Sequence, residues 1–133
     1  MVFRVRCGFV LCVLLASPGC LASDLKDARR AAVEWLQLLD EAEYRASWHK
    51  TALPFRAKVS SFDWQQIALR VRDRLGQFKR RTFISSRFMK QGGNKHFVSL
   101  RYRTSFANKV PVVETVTHEF VRGEWRVTGY EVR

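Results

Sequence analysis

The chain has 133 residues, with 24 Lys and Arg against 12 Asp and Glu, a formal charge of +12, and 47% hydrophobic with 27% charged residues. These figures suit one globular domain and exclude both a multidomain machine and a disordered tail. The three cysteines, Cys7, Cys12 and Cys20, all fall within the first 20 residues, which excludes a disulfide-stapled scaffold.

Arg4 and Arg6 precede an apolar run from Cys7 to Ala16, about ten residues, the length of the apolar core of a secretory signal. A bilayer-spanning helix needs about twenty apolar residues, so a permanent anchor is the weaker reading. Pro18 and Gly19 break this helix, and Cys20-Leu21-Ala22 places small residues where signal peptidase reads them. The expectation is a signal peptide over 1–22, cleaved after Ala22, and a single α+β domain over 23–133. The alternative is a lipoprotein acylated at Cys20, which wants an aliphatic residue where Ser17 stands. Removing 22 residues from 133 leaves 111 without a cysteine, and losing Arg4 and Arg6 leaves a charge of +10. Such a chain is periplasmic or secreted, has no transmembrane anchor after processing, and stands on its hydrophobic core alone.

Helices come first. Ser23 caps a helix with Asp24 and Asp27 in its first turn. Leu25, Ala28, Ala32, Trp35, Leu36 and Leu39 share one face, and the helix ends near Glu41. Tyr44 and Trp48, four apart, start a short second helix, and Pro54 opens a further turn with Phe55 and Val59 on one side. Ser60 and Asp63 resemble a capping box, a weaker version with Asp in place of Glu, before the stripe Trp64, Ile67, Ala68, Val71 and Leu75, which Gly76 terminates.

From Phe78 the period becomes two. A first strand covers about 79–90, and Gly92-Gly93-Asn94 turns the chain. His96 to Phe106 alternates, with Val98, Leu100, Tyr102, Thr104 and Phe106 on one side and Ser99, Arg101, Arg103 and Ser105 on the other. Residues 107–111 read as a loop, Val112 to Val121 as the third strand, Arg122-Gly123 as a tight hairpin turn, and Trp125 to Val132 as the last strand. The expected architecture is α+β: N-terminal helices packed on a four-stranded antiparallel meander. Val98, Leu100, Tyr102, Phe106, Val116 and Phe120 are expected to face the helices.

The segments Tyr102–Lys109, Glu114–Thr117 and Trp125–Tyr130 resemble a bacterial secreted family catalogued as domain of unknown function 4019. In the helical half, Trp35-Leu36, Asp40, Tyr44, Ser47-Trp48, Phe55-Arg56, Trp64 and Arg74-Leu75-Gly76 fit the same family. The resemblance departs between the first two strands, where the family has a longer Pro-Gly-containing loop and this chain has Met89–Asn94. It implies the cystatin-like or nuclear-transport-factor-2-like fold, in which helices pack on a strongly curved sheet to form a cone. That fold hosts isomerases, hydrolases, ligand binders and interaction modules, so it does not by itself imply a function.

Several chemistries lack their residues. His49, His96 and His118 are scattered, with no metal-ligand spacing, and no cofactor motif or Gly-rich phosphate loop is present. No serine stands in a GxSxG context, and the processed chain has no thiol. Acid–base chemistry remains, by analogy with cone-shaped isomerases: Asp40, Tyr44, Tyr102, Glu114 and Tyr130 are candidates for a common cavity. Trp35, Trp48, Trp64 and Trp125 either line a hydrophobic pocket or fill the core. Arg74, at the edge of the last apolar helix stripe, is expected to meet Glu114, with Thr104 or Tyr102 as further hydrogen-bonding groups. The pair is either a structural clamp or the polar end of a pocket. Arg70, Arg72, Lys79, Arg80, Arg81, Arg101 and Arg103 form the candidate anionic-surface site, suited to anionic lipid or wall polymer. Aromatics do not alternate with these basic residues and the chain reads as exported, so no nucleic-acid partner is expected.

Three functional readings follow. The first is a non-catalytic secreted module that binds an unknown small molecule or protein. The second is a small acid–base enzyme using a cone cavity, and the third a basic protein held weakly at the envelope.

Overall fold

The computed structural model describes residues 18–133, with side chains described from Ala22 onward. The basic start and apolar core of the expected export signal, with Cys7 and Cys12, lie outside the described residues, as does the Cys20 side chain.

Four helices precede four strands: α1 (Pro18–Asp40), α2 (Tyr44–His49), α3 (Leu53–Lys58), α4 (Ser61–Leu75), β1 (Phe78–Gln91), β2 (Lys95–Phe106), β3 (Lys109–Val121) and β4 (Glu124–Val132). The strands form one open antiparallel sheet in the order β1-β2-β3-β4, the expected meander. α1 starts five residues before Ser23, so Pro18 opens this helix instead of breaking one; proline suits a first helical position, where its missing N–H leaves no bond unmade. The expected face of α1 is the buried one, with Ala28, Ala32, Trp35, Leu36 and Leu39 no more than 2% exposed. None of the described helices is long and apolar enough to cross a membrane.

The helix layer is tied together by tryptophan N–H groups. Trp35 donates to the Ser47 carbonyl and Trp64 to the Ser47 hydroxyl, both at 2.8 Å, while Trp48 donates to the Val59 carbonyl at 2.8 Å. Trp35 and Trp64 pack against Tyr130, with ring centroids 5.3 and 6.4 Å away. Buried indoles thus occupy the space between helices and sheet, against the inner row Val98, Leu100, Tyr102, Val116 and Val127. A smaller cluster of Leu75, Phe106 and Val112 continues that layer.

Two corrections concern β3. The expected loop over 107–111 shrinks to the turn Ala107-Asn108, and Lys109, Val110 and Pro111 already belong to the strand. Pro111 is tolerated because the β2–β3 register is irregular there, where its missing N–H breaks no ladder bond. Phe120 keeps the alternation with buried Val116 and His118 but is 42% exposed. It lines an open groove, its ring tilted against Trp125 with centroids 5.0 Å apart, instead of packing into the helix layer.

The two sheet edges differ. The chain between α2 and α3 runs along β4, and the Ala52 N–H donates to the Val127 carbonyl at 2.7 Å. β1 forms the other edge and carries register breaks at Phe78/Arg80 and Phe83/Ser85.

Candidate functional site

Six elements each send one polar side chain into a common space: Asp40 from α1, Arg72 from α4, Arg81 from β1, Thr104 from β2, Glu114 from β3 and Tyr130 from β4. Two periodicities aim them. Arg72 lies four residues after Ala68 and eight after Trp64, in line with the buried side of α4. Arg81 pairs with Thr104 across β1–β2, and Glu114 pairs with Tyr102 across β2–β3. Thr104 and Tyr102 are buried, so the alternation turns both partners inward.

Both carboxylates are saturated, while the Arg72 Nε is left buried without a partner among the described residues. Arg72 reaches Asp40 Oδ1 at 2.8 Å and Glu114 Oε1 at 3.1 Å. Arg81 clamps Asp40 through both terminal nitrogens, at 2.8 and 2.9 Å, and its Nε donates to Glu114 Oε2 at 2.8 Å. The Tyr130 hydroxyl donates to Glu114 Oε1 at 2.7 Å and accepts from Arg72 at 3.1 Å. The Thr104 hydroxyl donates to Glu114 Oε2. Phe106 lies 5.0 Å from the Arg72 guanidinium and Phe78 4.6 Å from that of Arg81, shielding the faces that make no hydrogen bonds. Two cations therefore meet two anions in a space where Glu114 is fully buried.

Burial alone would raise the Glu114 pKa, but Arg81 and Arg72, with the Thr104 hydrogen bond, outweigh it and hold the carboxyl below its ordinary range. Burial likewise works against the Arg81 charge, and Asp40 and Glu114 outweigh it, so that guanidinium is held more firmly protonated. Tyr130 is pushed up by burial and then by the Glu114 charge, which keeps its hydroxyl a donor. The cluster suits fixed charge pairing, and within it the Glu114 carboxyl is held ionised by its arginine partners.

The expected partner of Glu114 is corrected. Arg74 is exposed, and Arg72 makes the contact. The two positions are two residues apart, about 200° around a helix, so only one can face the sheet. The anionic-surface group is corrected with it. Arg72 and Arg81 are internal, with side chains 7% and 9% exposed, whereas Arg70, Lys79, Arg80, Arg101 and Arg103 are exposed.

Asp40, Thr104, Glu114 and Tyr130 come together as candidates, and Arg72 and Arg81 join them from the surface group. Tyr102 is 3% exposed and its hydroxyl has no hydrogen-bond partner among the described residues. Tyr44 borders a shallow recess with Asp40 and Arg72, and Trp48 stands apart, packed between α2 and α3. Local reading also misses His118, which is fully buried with both ring nitrogens unpartnered among the described residues and its pKa lowered by burial to about 4. The signal for it was available, because His118 falls in the inward series with Glu114 and Val116. Among the described residues no group of three or more His, Cys, Asp and Glu could hold a metal ion.

The fold and this cluster define a class: a small α+β domain in which paired charges are locked between a helix layer and an open antiparallel meander. Within it, the chain belongs to the family described as Protein of unknown function (DUF4019), whose model matches residues 31–130. That span contains every member of the ionic cluster, and it is the family that the sequence resembles. A search of curated proteins finds no match to the chain.

Proposed function

We propose that the protein is a non-catalytic binding module exported to the periplasm or beyond. The observation that carries this reading is the saturation of its internal carboxylates. Asp40 and Glu114 each meet both arginines, and the Glu114 pKa is lowered, opposite to what a general acid–base carboxylate needs at neutral pH. Ligand-observed NMR of an envelope extract, followed over hours, tests it. Saturable binders recovered chemically unchanged are expected. Conversion of a bound compound that Asp40→Asn abolishes would establish the acid–base enzyme instead.

The outer face of the sheet favours a second activity, weak attachment to anionic envelope material. Opposite the buried row of β2, Arg101 and Arg103 stand side by side between Ser99 and Ser105, and Arg80 and Arg87 flank them on β1, all four arginines exposed. No carboxylate interrupts the paired outward positions of β1 and β2. Such a surface binds by screened charge, with a range of about 10 Å at 0.1 M salt. Binding to anionic vesicles is expected at low salt and absent at 0.5 M; retention at 0.5 M would point to a specific lipid site. Export is supported by the pattern of residues 1–22 and is read by intact mass of protein recovered from the periplasm. A chain starting at Ser23 is expected, and a lipid-bearing Cys20 terminus would replace that reading by a lipoprotein.

A further inference from the structure

A cleft of about 680 Å³ opens between α1 and β1, lined in part by Arg29, Val33, Phe78, Phe83 and Tyr102. Three charged groups on its walls are already engaged. Asp40 holds Arg72 and Arg81, Arg81 has its three donor nitrogens on Asp40 and Glu114, and Glu41 accepts from Gln37 at 2.8 Å. Two groups remain. Arg29 is exposed, makes no ion pair among the described residues, and lies over the Phe83 ring at 3.9 Å. The Tyr102 hydroxyl is buried without a hydrogen-bond partner among the described residues, and its ring packs edge-on against the same Phe83 at 5.8 Å. Phe83 thus brings one free cation and one orphaned donor to the same wall. An orphaned buried donor is a standing cost that an incoming acceptor removes.

We propose that this cleft binds a small organic monoanion, a carboxylate on an apolar body. Its carboxylate takes the Arg29 guanidinium and the Tyr102 hydroxyl, and its body lies on Val33, Phe78 and Phe83. A planar two-oxygen acceptor matches the guanidinium fork. One free cation matches one negative charge, whereas a phosphate dianion would face Asp40 and Glu41 on the same wall. The volume lies within the range of small-molecule sites. Reaching the hydroxyl requires a side-chain adjustment, and Arg29, exposed and held by a cation–π contact, is the group free to make it.

The inference rests on the binding-module reading and is tested apart from it. Octanoate, octanol and octylammonium are titrated into the full processed chain, with amide shifts of Val33 and Phe83 as the readout. Octanoate is expected to saturate those shifts, octanol to bind at least tenfold more weakly, and octylammonium not to bind. Arg29→Gln and Tyr102→Phe each weaken octanoate at least fivefold. Neither removes a core contact that folding needs, and Arg45→Gln, exposed on α2 away from the cleft, leaves the affinity unchanged. Equal binding of octanol and octanoate in the cleft would overturn the anion assignment while leaving a binding module. No saturable shift with octanoate, in a protein whose circular dichroism is native, would overturn the site itself.

Discussion

Glu114 is the residue on which most of the buried polar structure converges, and removing it is expected to be expensive out of proportion to its size. Glu114→Ala leaves two guanidiniums facing one carboxylate in an apolar interior, a loss of about 3–5 kcal/mol. Replacing Glu114 by Leu together with Arg81 by Met removes one charge of each sign and leaves Arg72 with Asp40, so it should cost much less. Urea unfolding of the single and double variants checks this, and additive losses would count against a coupled network. His118 presents the opposite case, a polar ring with no partner. Asp27, Arg30 and Glu34 of α1, Lys50 after α2, and Glu124 and Arg126 of β4 line the adjoining groove, and none is hydrogen-bonded to it. The folded state binds its proton only near pH 4, while the unfolded chain binds it near 6.5. Stability from this group is therefore complete above pH 6.5 and falls by about 3 kcal/mol as the pH drops toward 4. Glu114, with its lowered pKa, adds a further loss at still lower pH, as the acid reaches its folded-state range. His118→Leu should be neutral or stabilising at pH 7 and should flatten the decline between pH 6.5 and 4. A loss above about 1 kcal/mol at pH 7 would mean that the ring has a partner after all.

The ends of α4 show how short signals place a whole helix. The Ser60 hydroxyl accepts from the Asp63 N–H at 3.1 Å and donates to its carboxylate at 2.7 Å, so Ser60→Ala should cost about 1 kcal/mol in thermal or urea unfolding. At the other end Gly76 has φ 79°, its N–H reaches the Arg72 carbonyl at 2.9 Å, and a Cβ there would stand 2.6 Å from the Asn108 side chain. Gly76→Ala should cost about 1–3 kcal/mol, and removing the Asn108 side chain as well should recover only part, because the backbone strain persists. These elements were legible because their cues are local: a cap, an apolar stripe, a left-handed stop, and a change of period at Phe78. The paired positive-φ residues Arg122 and Gly123 made the last hairpin equally readable. Arg72 was not, although the 64, 68, 72 spacing contains it. A cation on an apolar stripe is acceptable only with its partners, and Asp40 and Glu114 stand 32 and 42 residues away. Arg81 was hidden by the break between Phe78 and Arg80, which shifts the alternation of β1 by one residue. Glu114 was readable from strand alternation alone, Asp40 entered only by analogy with cone-shaped isomerases, and the arginine partners were not readable.

At the level of the whole molecule, the ionic cluster draws on every element except α2 and α3, and those two are held by the tryptophan hydrogen bonds to Ser47 and Val59. A domain bound together in this way should unfold as one unit. Indole fluorescence, which reports the helix layer, and far-ultraviolet circular dichroism, which also reports the sheet, are expected to give coincident urea transitions. Separated transitions would show that the helices detach before the meander melts. The same cluster has a further consequence for how three successive hairpins find their pairing. Meanders are built from like parts, and a slip of one residue between neighbours keeps most backbone bonds while turning each side chain to the opposite face. In this protein such a slip would carry Thr104, Glu114 or Tyr130 outward and abandon Arg72 and Arg81 in an apolar interior. The charges thus act as a proofreading key, cut so that one alignment of four strands closes the lock and its near neighbours do not.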